Sequence, residues 1–347
     1  MRRLLIYCAR VGDVVILTPL MRQLAASGDL EIVGRPWARD LLAGQPGIGA
    51  VHVLADPNAG GFAEWWAGRP RRKLGEILAG RSFDEIVVFA GESKRVKAWI
   101  ESWRGAAVVR QITFKNNAGV AHRVEAQRLA LANVGLDTTG FDPVPRLAVN
   151  ETALAAARAR LGQLGRRVVL VQVGSSATIG WFRRKPNLKG LAPQQWADLL
   201  AGILARDEAD AVAFVGVPPE AREVAAVRAC LPDAARARCH DLTRSSPLAD
   251  LPAWFAAAHA ALSVDTGPAH VAAAVGCPLL VVFGPTDPAI FAPTGPGVVE
   301  IVEGRAPCRP CHGTPRMDQC RANVCLRGLS GQELDAAWRR LLTRAGR

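Results

Sequence analysis

Short apolar runs alternate with amphipathic stretches along the whole chain. In the first half, Leu4–Cys8, Glu31–Gly34, Val51–Leu54, Glu85–Phe89 and Val108–Phe114 have the composition of buried strands. Between them Val14–Ala26, Trp37–Ala43, Phe62–Ala79, Ser93–Trp103 and His122–Val134 carry helical patterning, the last ending at Gly135. Residues Asp137–Asn150, with Pro143 and Pro145, lose the periodicity and read as a linker. The alternation then resumes: helix Glu151–Gly162, strand Arg167–Val173, helix Pro193–Ala205, strand Ala211–Val215. Strand, helix, strand repeated in this way predicts parallel sheets in two doubly wound α/β domains.

The most informative stretch is Ser263–Pro288. An apolar run, Ala260–Val264, ends at Asp265-Thr266-Gly267-Pro268, which combines a capping residue with Pro in a first helical turn. A helix of small residues follows, stopped by Gly276 and Pro278, and a second strand, Leu279–Phe283, completes a βαβ unit. The free N–H groups at such a helix start favour a phosphate or carboxylate, and His270 lies in that first turn. An ordinary capped crossover fits the same pattern.

Length and charge narrow the picture. The 347 residues suit two domains, and half of them are hydrophobic. A net charge of +12 calls for an anionic partner: a nucleotide, an acidic glycolipid, an anionic membrane surface or nucleic acid. No apolar run reaches the ~18 residues of a membrane span, and the N-terminal run is too short for a signal peptide, so the expected location is the cytoplasm. A dinucleotide fingerprint after the first strand and a P-loop are both missing.

Three further places could carry chemistry. Gly12 and Asp13 follow the first strand, where a carboxylate serves as an N-cap or as a base, and Pro19 bends the following helix or marks its true start. The loop Gly174–Gly190 holds Ser175, Ser176, Trp181, Arg183, Arg184, Lys185 and Lys189, the hydroxyls and cations a pyrophosphate needs. Cys308-x2-Cys311-x8-Cys320-x4-Cys325 could form a tetrahedral zinc site or remain ordinary thiols, with His312 as a spare ligand. Trp65, Trp66, Trp99 and Trp103 beside basic residues (Arg69, Arg71, Arg72, Lys73) read as half-buried helix positions or as an acceptor- or membrane-facing surface.

Taken together, these stretches resemble glycosyltransferase family 9, the ADP-heptose:lipopolysaccharide heptosyltransferases. The matching segments are Arg10-Val-Gly-Asp13-Val-Val-Ile-Leu-Thr18-Pro19, Asp265-Thr-Gly-Pro-Ala-His270, Phe283-Gly-Pro-Thr-Asp287-Pro288, His122-Arg-Val with Leu129–Gly135, and the cysteine tail. The resemblance implies a GT-B fold, two Rossmann-like domains facing across a cleft. Residues 1–145 would bind the acceptor and 151–330 the nucleotide sugar, with the helix at 331–347 packing back on the first domain. It implies inverting transfer without a required cofactor, from a nucleotide-diphosphate sugar to an anionic lipid-linked glycan at the inner-membrane face, by a monomer. Asp13 would be the general base, with Arg10, Gly12 and Thr18 on the acceptor side. Ser175, Lys185, Lys189, Glu220, Asp265, Thr266, Gly267 and His270 would bind the donor, Glu220 at the nucleoside. Lys189 stands in Lys-Gly-Leu-Ala where the family usually has Lys-x-Trp-Pro, and Lys185 is the alternative. The competing readings are a sugar-nucleotide epimerase or hydrolase, and a zinc-ribbon nucleic-acid binder. The spread of charge and few aromatics disfavour the binder, and nucleic acid is not an expected partner.

Overall fold

The computed structural model describes residues 1–54, 75–89, 100–102, 105–114, 122–175 and 187–347. They form two units, Met1–Ala148 and Val149–Arg347, so the division falls inside the aperiodic stretch expected to be a linker. The expected helices at Phe62–Ala79 and Ser93–Trp103, with their tryptophans and basic cluster, lie largely outside the described residues.

In the first unit, β1 (Arg2–Ile6), β2 (Asp29–Gly34), β3 (Ile48–Val53), β4 (Glu85–Phe89) and β5 (Val108–Ile112) make a parallel sheet of order β3-β2-β1-β4-β5. Leu4, Leu5 and Ile6 on the central strand are wholly buried, as a strand covered on both faces requires. The helix expected over Val14–Ala26 is two helices, α1 (Val11–Ile16) and α2 (Thr18–Ala25). Pro19 has no N–H to give and sits in the first turn of α2, so the helix restarts there. Helices α3 (Pro36–Leu42) and α4 (Glu125–Ala132) follow, and residues 75–78 and 100–102 are also helical. The segment after α4 is fastened down. Arg22 Nη2 donates to Val144 O at 2.7 Å, Gln23 Nε2 to Asp137 O at 3.0 Å, and Gln45 exchanges two hydrogen bonds with Ala148.

In the second unit, β6 (Val168–Gln172), β7 (Ala211–Phe214), β8 (Cys239–Asp241), β9 (Ala260–Val264), β10 (Leu279–Phe283) and β11 (Val299–Glu303) are parallel, in the order β11-β10-β9-β6-β7-β8. The chain leaves β6 toward β7 and β8, then returns to lay β9 on its other side. Strands β6 and β9 therefore flank a topological switch point, where the turns at their carboxyl ends diverge and leave room for a ligand. The helices are α5 (Glu151–Gly162), α6 (Pro193–Ala205), α7 (Ala221–Cys230), α8 (Asp233–Ala237), α9 (Leu251–Ala257), α10 (Gly267–Ala274), α11 (Pro288–Phe291), α12 (Pro315–Gln319), α13 (Val324–Arg327) and α14 (Gly331–Arg344).

The last helix corrects an expectation. Its apolar face was expected against the first domain. Instead Leu334, Ala337, Trp338 and Leu341 are fully buried in the core of the second unit, where α14 packs on β11, β10 and α6. Trp338 Nε1 donates to Glu208 Oε2 at 2.9 Å, which satisfies the one polar atom of that ring. A capping box between Ser330 and Glu333 starts the helix. Among the described residues no helix is long and apolar enough to cross a membrane.

Candidate functional site

The turn after β1 places Arg10, Gly12 and Asp13 together. Arg10 is exposed and gives α1 no side-chain cap. Asp13 stands in the first turn, partly exposed, and its carboxylate has no hydrogen bond or ion pair among the described residues. It is therefore not used as a cap. Thr18, expected on the acceptor side, is held within the first unit. It is buried, its hydroxyl donates to Val15 O at 2.9 Å, and Oγ1 accepts from Arg146 N at 3.2 Å. It ties the segment after α4 to α2.

At the carboxyl ends of β9 and β10 the turns close on Asp265, which is 4% exposed. Lys189 Nζ donates to Asp265 Oδ2 at 2.6 Å and to Asp265 O at 3.0 Å, and Thr286 Oγ1 donates to the same carboxylate. Burial alone would raise the pKa of Asp265. The Lys189 charge and hydrogen bond, the Thr286 hydroxyl and the nearby His270 outweigh burial and hold it below the usual carboxylate value. The result is a cation fixed by a buried anion beside the start of α10, with His270 buried in the first turn.

Thr266 is the N-cap residue of α10 and has the extended backbone that capping needs, yet its side chain makes no cap. Its hydroxyl points to Gln172 Oε1 at 2.9 Å and Val264 O at 3.3 Å. Gln172, the last residue of β6, is 2% exposed. Its Nε2 donates to Gly174 O at 2.6 Å and to Glu220 Oε1 at 3.2 Å. Glu220 Oε2 accepts from Val217 N at 3.0 Å. Gly174 and Gly216 pack against this carboxyl so closely that neither position has room for a Cβ. Burial pushes Glu220 up to about 7, with Glu223 adding to the rise and the hydrogen bonds from Val217 and Gln172 opposing it.

The base of the loop after β6 is pinned by Asn187. Its Nδ2 donates to Val173 O at 2.9 Å, while its Oδ1 accepts from Ser175 Oγ at 3.1 Å and Lys189 N at 3.3 Å. Lys185, the alternative phosphate ligand, lies outside the described residues, as do Ser176, Trp181, Arg183 and Arg184.

The cysteine tail holds this site from outside. The Arg309 guanidinium donates to the carbonyls of Gly284, Gly304 and Thr286. Asn323 Nδ2 reaches Gly190 O at 2.9 Å and Asn187 O at 3.4 Å. The tail thus braces both loops that meet on Asp265. Cys308, Cys311, Cys320 and Cys325 are unpaired thiols. Burial raises the Cys311 thiol, with further contributions from Cys308 and Cys320. Among the described residues no three His, Cys, Asp or Glu side chains are gathered to hold a metal ion. An open cavity of about 650 Å3 lies along β11 and α14. Its Arg305, Arg309 and Arg340 are paired with Glu333, Glu303 and Glu300.

The profile of glycosyltransferase family 9 (heptosyltransferase) matches residues 86–321, more than half of the chain. The chain belongs to glycosyltransferase family 9. No curated protein sequence matches it significantly. Among solved structures, E. coli ADP-heptose LPS heptosyltransferase II superposes with a TM-score of 0.75 at 20% identity, covering 100% of both chains. A family 9 glycosyltransferase from Veillonella parvula gives 0.78 at 16% identity, over 99% of this chain and 97% of the other. E. coli heptosyltransferase WaaC with ADP gives 0.68 at 18% identity, over 98% and 100%. The fold of this family 9 glycosyltransferase is GT-B, each unit being one Rossmann-like half.

Of the expected donor residues, the family 9 enzyme gathers Lys189, Asp265, Thr266, Gly267 and His270 at the end of β9, with Glu220 joined to them through Gln172. Sequence reasoning missed Gln172, Asn187 and Arg309. The one available signal was a polar residue ending an otherwise apolar strand, Val-Val-Leu-Val-Gln172.

Proposed function

We propose that this family 9 glycosyltransferase moves a heptose or related sugar from a nucleoside-diphosphate sugar to a lipopolysaccharide core or related glycan. ADP-heptose is the first donor to consider. The observation that carries the reading is the Asp265-fixed Lys189 beside the start of α10, with buried Glu220 linked to it at the switch point. A lysine beside a helix start suits a diphosphate. A carboxylate with remaining lone pairs suits ribose hydroxyls. The relative solved with ADP supports the adenine choice.

In this reading Asp13 takes the proton of the acceptor hydroxyl as its oxygen forms a bond to the anomeric carbon. The bond from that carbon to the phosphate oxygen breaks on the opposite face, inverting the centre. The electron pair stays on the leaving diphosphate, where Lys189 and the α10 N–H groups meet the growing charge without reorganising. Asp265 keeps the lysine in place and offsets part of its charge. The net charge of +12 supports work at an anionic membrane face, where a lipid-linked acceptor is presented.

Two measurements test this. ADP-heptose should raise the melting temperature more than other nucleotide sugars. Preferential stabilisation by another donor redirects the substrate assignment. Asp13→Asn should leave nucleotide affinity intact while turnover with donor and acceptor drops at least a hundredfold, and unchanged turnover would remove Asp13 as the base. Consumption of donor without acceptor would instead favour the hydrolase or epimerase reading.

A further inference from the structure

We propose that Thr286 is a positioning residue of the donor site: its hydroxyl holds the Asp265 carboxylate, and through it the Lys189 ammonium, in the direction the diphosphate needs. The inference rests on the donor reading above and goes a step deeper into the same site.

Thr286 lies in the turn after β10 and is 3% exposed. A hydroxyl buried this deeply needs a protein partner for its proton. Thr286 Oγ1 donates to Asp265 Oδ2, the same oxygen that accepts from Lys189 Nζ at 2.6 Å. An ammonium has three N–H groups. Among the described residues, the hydrogen bonds of Lys189 Nζ both go to Asp265, one to Oδ2 and one to the main-chain oxygen. The remaining N–H is the one left for a ligand, and its direction follows from the other two. The main-chain end is fixed, because Asp265 N donates to Val282 O at 3.2 Å. The other end is a carboxylate, and the last torsion of an Asp side chain is soft. Thr286 is the second hold on that carboxylate.

The hydroxyl is itself well anchored. Arg309 donates to Thr286 O at 3.2 Å and to Gly284 O, so one guanidinium grips the turn at two residues. On its other side the turn rests on the Lys189 loop, where a Cβ at Gly284 would stand 2.9 Å from Leu188 O. The loop before α6, the turn after β9 and the turn after β10 therefore meet on one carboxylate. A hydroxyl fixes that carboxylate without bringing a second positive charge to compete with Lys189. Thr286 touches no ligand in this account. It acts through Asp265 on Lys189.

The test is a double-mutant cycle on the full chain with Thr286→Val and Lys189→Met, reading the Kd of ADP, GDP and UDP by calorimetry. Thr286→Val keeps the shape of the side chain and removes its hydroxyl. It should weaken the preferred diphosphate about tenfold, the size of one hydrogen bond to a charged group. Thr286→Ser keeps the hydroxyl and should restore most of that loss. In the Lys189→Met background, Thr286→Val should cost almost nothing further, because the group it directs is gone. A merely structural role for Thr286 predicts the same loss in both backgrounds. Equal losses, a valine variant that binds as tightly as wild type, or a serine variant as weak as the valine one overturn the inference while the donor reading stands. A wild type that binds none of the three diphosphates overturns both. Thr286→Ala, which also lacks the hydroxyl, provides the same cycle if the valine variant folds poorly, and it must show the same dependence on Lys189.

Discussion

Glu220 offers the sharpest quantitative test, because its cost to the fold can be worked out before any measurement. The folded carboxyl keeps its proton up to about pH 7, while an unfolded one releases it near 4.5. Between those values the native state binds more protons than the unfolded chain. Stability therefore falls as pH rises from 4.5 through about 7, and the full cost is present above that. Each pH unit of separation is ~1.4 kcal/mol, so the ionised carboxylate costs the second unit about 3 kcal/mol at pH 8. Glu220→Gln removes that cost. It also turns one amide N–H toward Gln172 Nε2 or Val217 N, both donors, for a loss of about 1 kcal/mol. The variant should be about 2 kcal/mol more stable than wild type at pH 8 and about 1 kcal/mol less stable at pH 4. Urea midpoints followed by tryptophan fluorescence across pH 4–8 would show two curves that cross near pH 5. Parallel curves would refute the reasoning. The same variant should bind nucleotide more weakly at pH 8, since a destabilised group retained in a site is one the site uses.

Other outcomes follow from the same contacts. Lys189→Met leaves Asp265 buried without its cation, so it should lose about 2 kcal/mol at neutral pH, and urea unfolding near pH 4.5 should show much of that loss relieved as Asp265 takes a proton. The same substitution should weaken diphosphate binding in calorimetry. Arg309→Met frees three carbonyls, including that of Thr286, and should reduce diphosphate affinity severalfold; Arg309→Lys should not rescue it, because one ammonium cannot span all three.

Much of this protein is legible from local pattern. Apolar runs such as Ala260–Val264 are strands because both their faces are covered, and Asp-Thr-Gly-Pro announces a helix start wherever it occurs. Partners are harder to read. The stripe of Leu334, Trp338 and Leu341 says that one face of α14 is buried but not in which unit. Thr18 sits in a motif-like Thr-Pro, yet the atom that uses its oxygen is Arg146 N, far along the chain. Strand β11, Val-Glu-Ile-Val-Glu, was not anticipated, since alternating residues at a sheet edge lack the apolar run of the inner strands. Nothing in the sequence pairs Asp265 with Lys189, which lies 76 residues earlier. Gln172 shows in the sequence only as a polar end to an apolar strand, because its contacts lie in three turns that meet only after β9 has returned beside β6.

The brace formed by the cysteine tail bears on how the protein is made. Asn323 reaches back over 133 residues to Gly190, and Arg309 holds the loop of Thr286. A nascent chain that has emerged through β10 carries every expected donor residue and still lacks the parts that hold two of its loops in place. Those loops gain their last supports only when the C-terminal segment is present, the final helix closing the core around Trp338. Shortening the C-terminal end should therefore loosen the loops around Lys189, however far it stands from that residue in the sequence.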